Sequence, residues 1–205
     1  MGPRHLTHFA LAALCACAHS PTETARQPIK ESVVMAASDI SPADNPIFNA
    51  EEIGKRVLAL IQNIHDNRDI SPETIEKYIG LKVRINPDNE NDYGVSGKLT
   101  DQWYYSLRSM SPEKPGQKPN SLLFDFNDQT HAGADMSPVC VGFEDYNLAL
   151  TTAGFTATRL RNRVDTQDYW NFSRGSIGVK VYLRGKSNPK DAQTCISMLI
   201  ISAHL

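Results

Sequence analysis

Between residues 50 and 80 the apolar positions keep helical time. Ile53, Val57, Leu60, Ile61 and Ile64 fall on one face, which predicts an amphipathic helix. Asn49 with Glu52 three residues on makes a capping pair, and Glu51 and Glu52 suit the positive end of a helix. The pattern fades near Asp66-Asn67. Ser71 as N-cap and Pro72 at the first helical position open a second, shorter helix that buries Ile75, Tyr78 and Ile79 and stops at Gly80.

From there the period drops to two. Leu81, Val83 and Ile85 alternate with Lys82, Arg84 and Asn86, and Trp103, Tyr105 and Leu107 alternate with Gln102, Tyr104 and Ser106. Leu122, Phe124 and Phe126 form another such set, and a weaker strand is expected over 93–99, turning at Thr100-Asp101. Residues 110–120, with Pro112, Pro115, Gly116 and Pro119, read as an exposed loop. A third helix is expected over 143–153, with Phe143, Tyr146, Leu150 and Ala153 on one side and Gly154 as its stop. Three strands follow: one near 155–163, one with Ile177, Val179, Val181 and Leu183 inward and Lys180, Tyr182 and Arg184 outward, and a nearly continuous apolar run from Ile196 to Ile201 that predicts a central strand. These elements predict an α+β fold, an antiparallel β-sheet with about three α-helices packed mainly on one face. Helix precedes meander in each half, without a sequence repeat.

The N-terminus has a different pattern. Arg4 is followed by an apolar run of about ten residues, Phe9 to Ala18, too short for a membrane span and of the length of a signal-peptide core. The run leads into Leu14-Cys15-Ala16-Cys17, and this segment resembles the signal of bacterial lipoproteins. The resemblance implies that residues 1–16 are removed, that Cys17 carries a diacylglycerol thioether as the first mature residue, and that Ala18, where an Asp would retain the protein in the inner membrane, directs it to the outer membrane facing the periplasm. Cleavage after Ala16 also fits ordinary secretion. Residues 17–47 then read as a tether, rich in Ser, Thr, Ala and Pro, with Pro21, Pro28, Pro42 and Pro46 opposing helix and ladder pairing. The folded domain is expected over 48–205.

Charge narrows the partners. A formal net charge of −2 over 205 residues gives no basic stripe, so nucleic acid is not an expected partner. Apart from Cys15 and Cys17, the cysteines are Cys140 and Cys195, an even pair that predicts a disulfide in an oxidising compartment. The alternative is a Cys140 nucleophile with His131 or His204 as base.

Other chemistry is sparse. Asp88, Glu90 and Asp92 before Gly94 alternate like calcium ligands, but the position where a calcium loop places its bidentate Glu holds Leu99. Asp125-Phe126-Asn127-Asp128 with Asp135 is a second, weaker set of oxygens. His65, His131 and His204 are far apart, with no zinc spacing. No nucleophile elbow, P-loop or dinucleotide fingerprint occurs, and no cofactor is expected.

What remains is surface. Tyr104 and Tyr182 are expected to face outward, and Tyr169-Trp170 follows the acids Asp165 and Asp168 on an expected loop. Aromatic side chains beside acids suit a protein interface, here with a basic partner. The function expected is that of a periplasmic, lipid-anchored binding protein: an immunity or inhibitor protein that occludes a secreted toxin or an envelope-acting hydrolase. The alternatives are an accessory lipoprotein of an envelope assembly or secretion machinery, and a cell-envelope hydrolase using Cys140 or the acids Asp125 and Asp128.

Overall fold

Two antiparallel meanders meet in the middle of one sheet. The computed structural model describes residues 46–112, 116–130, 135–160, 169–184 and 194–204. The first meander comprises β1 (Arg84–Asn86), β2 (Asn89–Lys98), β3 (Trp103–Ser109) and β4 (Ser121–Asp128), and follows helices α1 (Ala50–Asn63) and α2 (Pro72–Ile79). The second comprises β5 (Thr156–Leu160), β6 (Tyr169–Arg174), β7 (Ile177–Arg184) and β8 (Cys195–Ala203), and follows α3 (Phe143–Thr152). The strand order is β1-β2-β3-β4-β8-β7-β6-β5. The last strand of each half therefore pairs with the last strand of the other, so the order is the same read from either edge. The α+β class, the antiparallel sheet and the three helices are as the sequence predicts.

Local signals place the helices. Asn49 Oδ1 accepts the Glu52 N–H at 2.8 Å, and Ser71 Oγ accepts from Thr74 N at the start of α2. Gly80 ends α2 at φ +76, and a Cβ there would lie 2.7 Å from Arg56 Nη1. That arginine donates to Ile79 O at 2.9 Å and pairs with Glu52 at 3.0 Å, tying α1 to the end of α2. On the other flank of α1, Gly54 admits Val141 so closely that a Cβ would stand 3.0 Å from its methyl. The buried Tyr146 hydroxyl of α3 donates to Gly54 O, and burial pushes this phenol well above the ordinary tyrosine range.

The helices and one side of the sheet enclose a single core. Ile53, Leu60, Ile75 and Leu150 from the helices join Leu107, Phe124, Phe172, Val179, Leu199 and Ile201 from the strands. Alternation along the strands sends the intervening side chains to the opposite side, where no helix packs among the described residues. Two features lock the helical layer. Cys140, just ahead of α3, is bonded to Cys195 at the start of β8, with Cα atoms 5.0 Å apart. Arg174, at the end of β6, donates to Gln62 O at 3.0 Å, Ile64 O at 2.9 Å and Ala153 O at 3.2 Å, and its guanidinium lies 4.4 Å over the Phe155 ring. Neither α1 nor α3 has a basic residue in its last turn. Arg174 supplies from the sheet the cation that both C-terminal ends favour.

Two expectations need correction, those for residues 81–86 and for Tyr169-Trp170. The alternation over 81–86 yields pairing only at Arg84–Asn86, and Ile85 points outward at 51% exposure. Glu76 accepts the Val83 N–H at 3.0 Å, which ties that stretch to α2 instead of the sheet, and the register shifts between Ile85 and Asn86. The strand near 155–163 is described only as far as Leu160. Tyr169-Trp170 is not a loop: it opens β6, whose mixed polar sequence hides a strand held by neighbours on both sides. The strand from Ile196 is central as expected, between β4 and β7.

Candidate interaction face

The side of the sheet away from the helices is built by register. One cross-strand row runs Ser106 (β3), Asp125 (β4), Met198 (β8), Tyr182 (β7), Tyr169 (β6) and Leu160 (β5). The next runs Arg108, Leu123, Ile200, Lys180, Asn171 and Thr158 across the same strands. Leu123, Met198, Ile200, Tyr169 and Tyr182 are half-buried by their neighbours, and Leu160 is 38% exposed. The centre of this face is therefore apolar and aromatic on a rigid, fully paired part of the sheet. Ordinary solvent-facing sheet carries polar residues at such positions, and contiguous apolar surface marks contact sites.

Polar groups frame the patch. The Tyr169 and Tyr182 rings stack at 5.3 Å, and Lys180 Nζ lies 5.8 Å over the Tyr169 ring. On the other flank Asp125, whose side chain is only 15% exposed, accepts from Ser106 Oγ at 2.7 Å and from Asn127 Nδ2 at 2.8 Å. Its second oxygen stands 3.9 Å from Arg108 Nη2, whose side chain is 52% exposed. Asp125 Oδ1 is thus engaged by its own face and Oδ2 lies nearest Arg108, while Arg108 and Lys180 are exposed cations of this face.

The aromatic and acidic residues expected at an interface are divided by the fold. Tyr104, Tyr169 and Tyr182 share the open face; Tyr104 lies on β3 opposite Asn127, several strands from the stacked pair. Trp170 points to the other side, 5.2 Å from the Phe143 ring and against the core. Asp165 and Asp168 lie outside the described residues, as do Cys17 and every residue before 46, where the signal and tether are expected. Leu123, Met198 and Ile200 were not among the expected contact residues. The signal for them was present: a strand apolar at both parities, on a sheet covered by helices on one side only, must put apolar side chains on the other.

The catalytic alternatives do not assemble. The disulfide leaves Cys140 without a thiol, His131 is outside the described residues, and His204 lies beyond the far end of β8, about 30 Å along the strand from Cys195. Asp125 and Asp128 are three residues apart on β4 and so point to opposite faces; Asp128 Oδ1 accepts the Thr130 N–H at 2.6 Å. Asp135 is held below the usual carboxylate range by the backbone N–H and hydroxyl of Ser137. Asp88 sits in the turn between β1 and β2 while Glu90 and Asp92 lie on β2, where Asn86 Nδ2 donates to Asp92 Oδ2 at 2.9 Å, and no group of three or more potential metal ligands converges among the described residues. A cleft of about 310 Å³ near the end of β8, lined by Asn67, Gln117, Lys118, Asn120 and His204, offers amides, one ammonium and one imidazole but no carboxylate. No described helix is long and apolar enough to cross a membrane. No family model matches the chain, and neither curated proteins nor solved structures give a match.

Proposed function

We propose that this chain is a periplasmic binding protein, anchored to the outer membrane by a lipid on Cys17, that uses the open sheet face to cover a protein partner. In its simplest form it is an immunity or inhibitor protein occluding a secreted toxin or envelope-acting hydrolase. The observation that carries the reading is a patch spanning two adjacent rows, Met198, Tyr182 and Tyr169 beside Leu123 and Ile200, which places apolar and aromatic side chains on the uncovered side of a sheet. A face held in register by antiparallel pairing on both sides of β8, and by the disulfide at that strand's start, needs little ordering on binding. A tether of about thirty residues suits capture of an incoming partner away from the bilayer.

The test is affinity capture with the full, oxidised chain against lysate and secreted protein of the source cells, run beside Ile200→Thr and Tyr182→Ala. A toxin or hydrolase that binds stoichiometrically, loses activity and is released by both substitutions is the expected result. Capture unaffected by either substitution removes the open face from the reading, and an envelope-assembly partner moves the protein to an accessory role. Separately, Cys17→Ser is expected to shift the protein from the membrane to the soluble periplasmic fraction; a variant that stays membrane-bound refutes the anchor.

A further inference from the structure

We infer that the open face recognises an acidic partner segment, an apolar side chain flanked by two carboxylates at alternate positions of an extended chain. The inference rests on the reading of this face as an interface and goes on to name the partner's chemistry. The evidence is the order of one cross-sheet row: Arg108, Leu123, Ile200, Lys180 on β3, β4, β8 and β7. Two cations bracket two aliphatic side chains. Three strand spacings of about 4.8 Å separate the cations by about 14 Å at the backbone. In an extended chain, residues i, i+2 and i+4 face one side and the outer two are also about 14 Å apart. A segment of the form Glu-x-Leu-x-Glu therefore sets its leucine over Leu123 and Ile200 with a carboxylate at each cation.

Both cations are poised for such a partner. Lys180 is exposed and, among the described residues, makes no ion pair; its ammonium rests over Tyr169. Arg108 is half exposed, and its carboxylate neighbour is distant, Asp125 Oδ2 at 3.9 Å, while Oδ1 of that acid accepts from Ser106 and Asn127. The same charges disfavour a second copy of the chain as the occupant. Face-to-face pairing would set Arg108 and Lys180 of each copy against a face that carries the same two cations and a largely buried carboxylate, Asp125. Asp165 and Asp168, from which a basic partner is expected, lie outside the described residues.

The probes are two glycine-flanked peptides, Glu-Ser-Leu-Ser-Glu and Lys-Ser-Leu-Ser-Lys, titrated into the isotope-labelled full chain and followed by amide NMR shifts. The expected result is saturable shifts around Leu123 and Ile200 with the glutamate peptide only, weaker at higher salt. Lys180→Glu and Arg108→Glu should each weaken that binding about tenfold, and the double reversal should accept the lysine peptide instead. Ile200→Thr, which keeps a β-branched residue in the strand, should weaken it without altering charge. Preference for the lysine peptide, or binding indifferent to both reversals, overturns the acidic chemistry; if Ile200→Thr still weakens binding in that case, the face survives as an interface. Binding of neither peptide, or shifts elsewhere on the protein, overturns the inference, while the capture experiment above independently tests the face.

Discussion

Replacing Arg174 with methionine should destabilise the fold by about 3 kcal/mol. Methionine keeps most of the stem's packing but removes every donor. Three carbonyls at the ends of α1 and α3 then lose their partner: Gln62 O, Ile64 O and Ala153 O. Hydrogen bonds from a charged donor contribute about 1.5–3 kcal/mol each when buried. This site is half-buried, so water regains some access, and about 1 kcal/mol apiece is the more suitable figure. The cation over Phe155 adds roughly 0.5–1 kcal/mol, partly overlapping with the rest. For a fold of this size each kcal/mol moves the midpoint by about 2–4 °C, so a fall of about 6–12 °C is expected. Urea unfolding followed by far-UV circular dichroism should show a lower midpoint at unchanged slope. Arg174→Lys should fall between the two, because one ammonium cannot serve three carbonyls in the fork geometry. A methionine variant within about 0.5 kcal/mol of the parent, the range of an ordinary surface change, would refute the claim that this arginine bolts the two helix ends to the sheet.

Three further outcomes are expected. Replacing Cys140 and Cys195 together by alanine reopens a loop with a sequence separation of 55; the chain-entropy model gives a loss of about 4 kcal/mol, measured as a midpoint shift that dithiothreitol reproduces in the parent and not in the variant. Tyr146→Phe leaves Gly54 O without its buried donor and should cost about 1–3 kcal/mol; an unchanged midpoint would mean the bond contributes nothing net. Asp66, bonded by the side chain and the backbone N–H of Arg68, has its carboxyl lowered to about 2. Because the folded value lies below the unfolded one, its contribution is full above the unfolded pKa near 3.8 and is lost as pH falls through about 2; carboxyl NMR titration should place its midpoint there, and Arg68→Gln should bring it back up.

Much of the fold was legible because its signals are local. A capping Asn49, a Ser71-Pro72 start and a Gly80 stop act within one turn of chain, and the alternation at Trp103–Leu107 and Leu122–Phe126 needs no knowledge of the partner strand. The pairing of Cys140 with Cys195 follows from there being no other cysteine in the domain. Where the signal is not local, the sequence misled. Residues 81–83 alternate like a strand, yet the Glu76 carboxylate takes the Val83 N–H first. Tyr169-Trp170-Asn171-Phe172 looks like a loop, yet β5 and β7 supply its hydrogen bonds.

The candidate site shows the same division. Tyr104, Tyr182 and Lys180 could be placed outward from period alone, since successive side chains of a strand must point to opposite faces. That Tyr169 stacks on Tyr182 while Trp170 turns to the core depends on β6 being a strand in one register. That Arg108, Leu123, Ile200 and Lys180 form one row depends on β4 meeting β8, strands more than seventy residues apart in the chain. Sequence by itself determined which side chains share a side along strands with unbroken alternation, such as β3, β4 and β7, because that is set by backbone geometry one residue at a time. Only the tertiary structure decided which of them become neighbours, because strand order and register are fixed by the packing of the whole core.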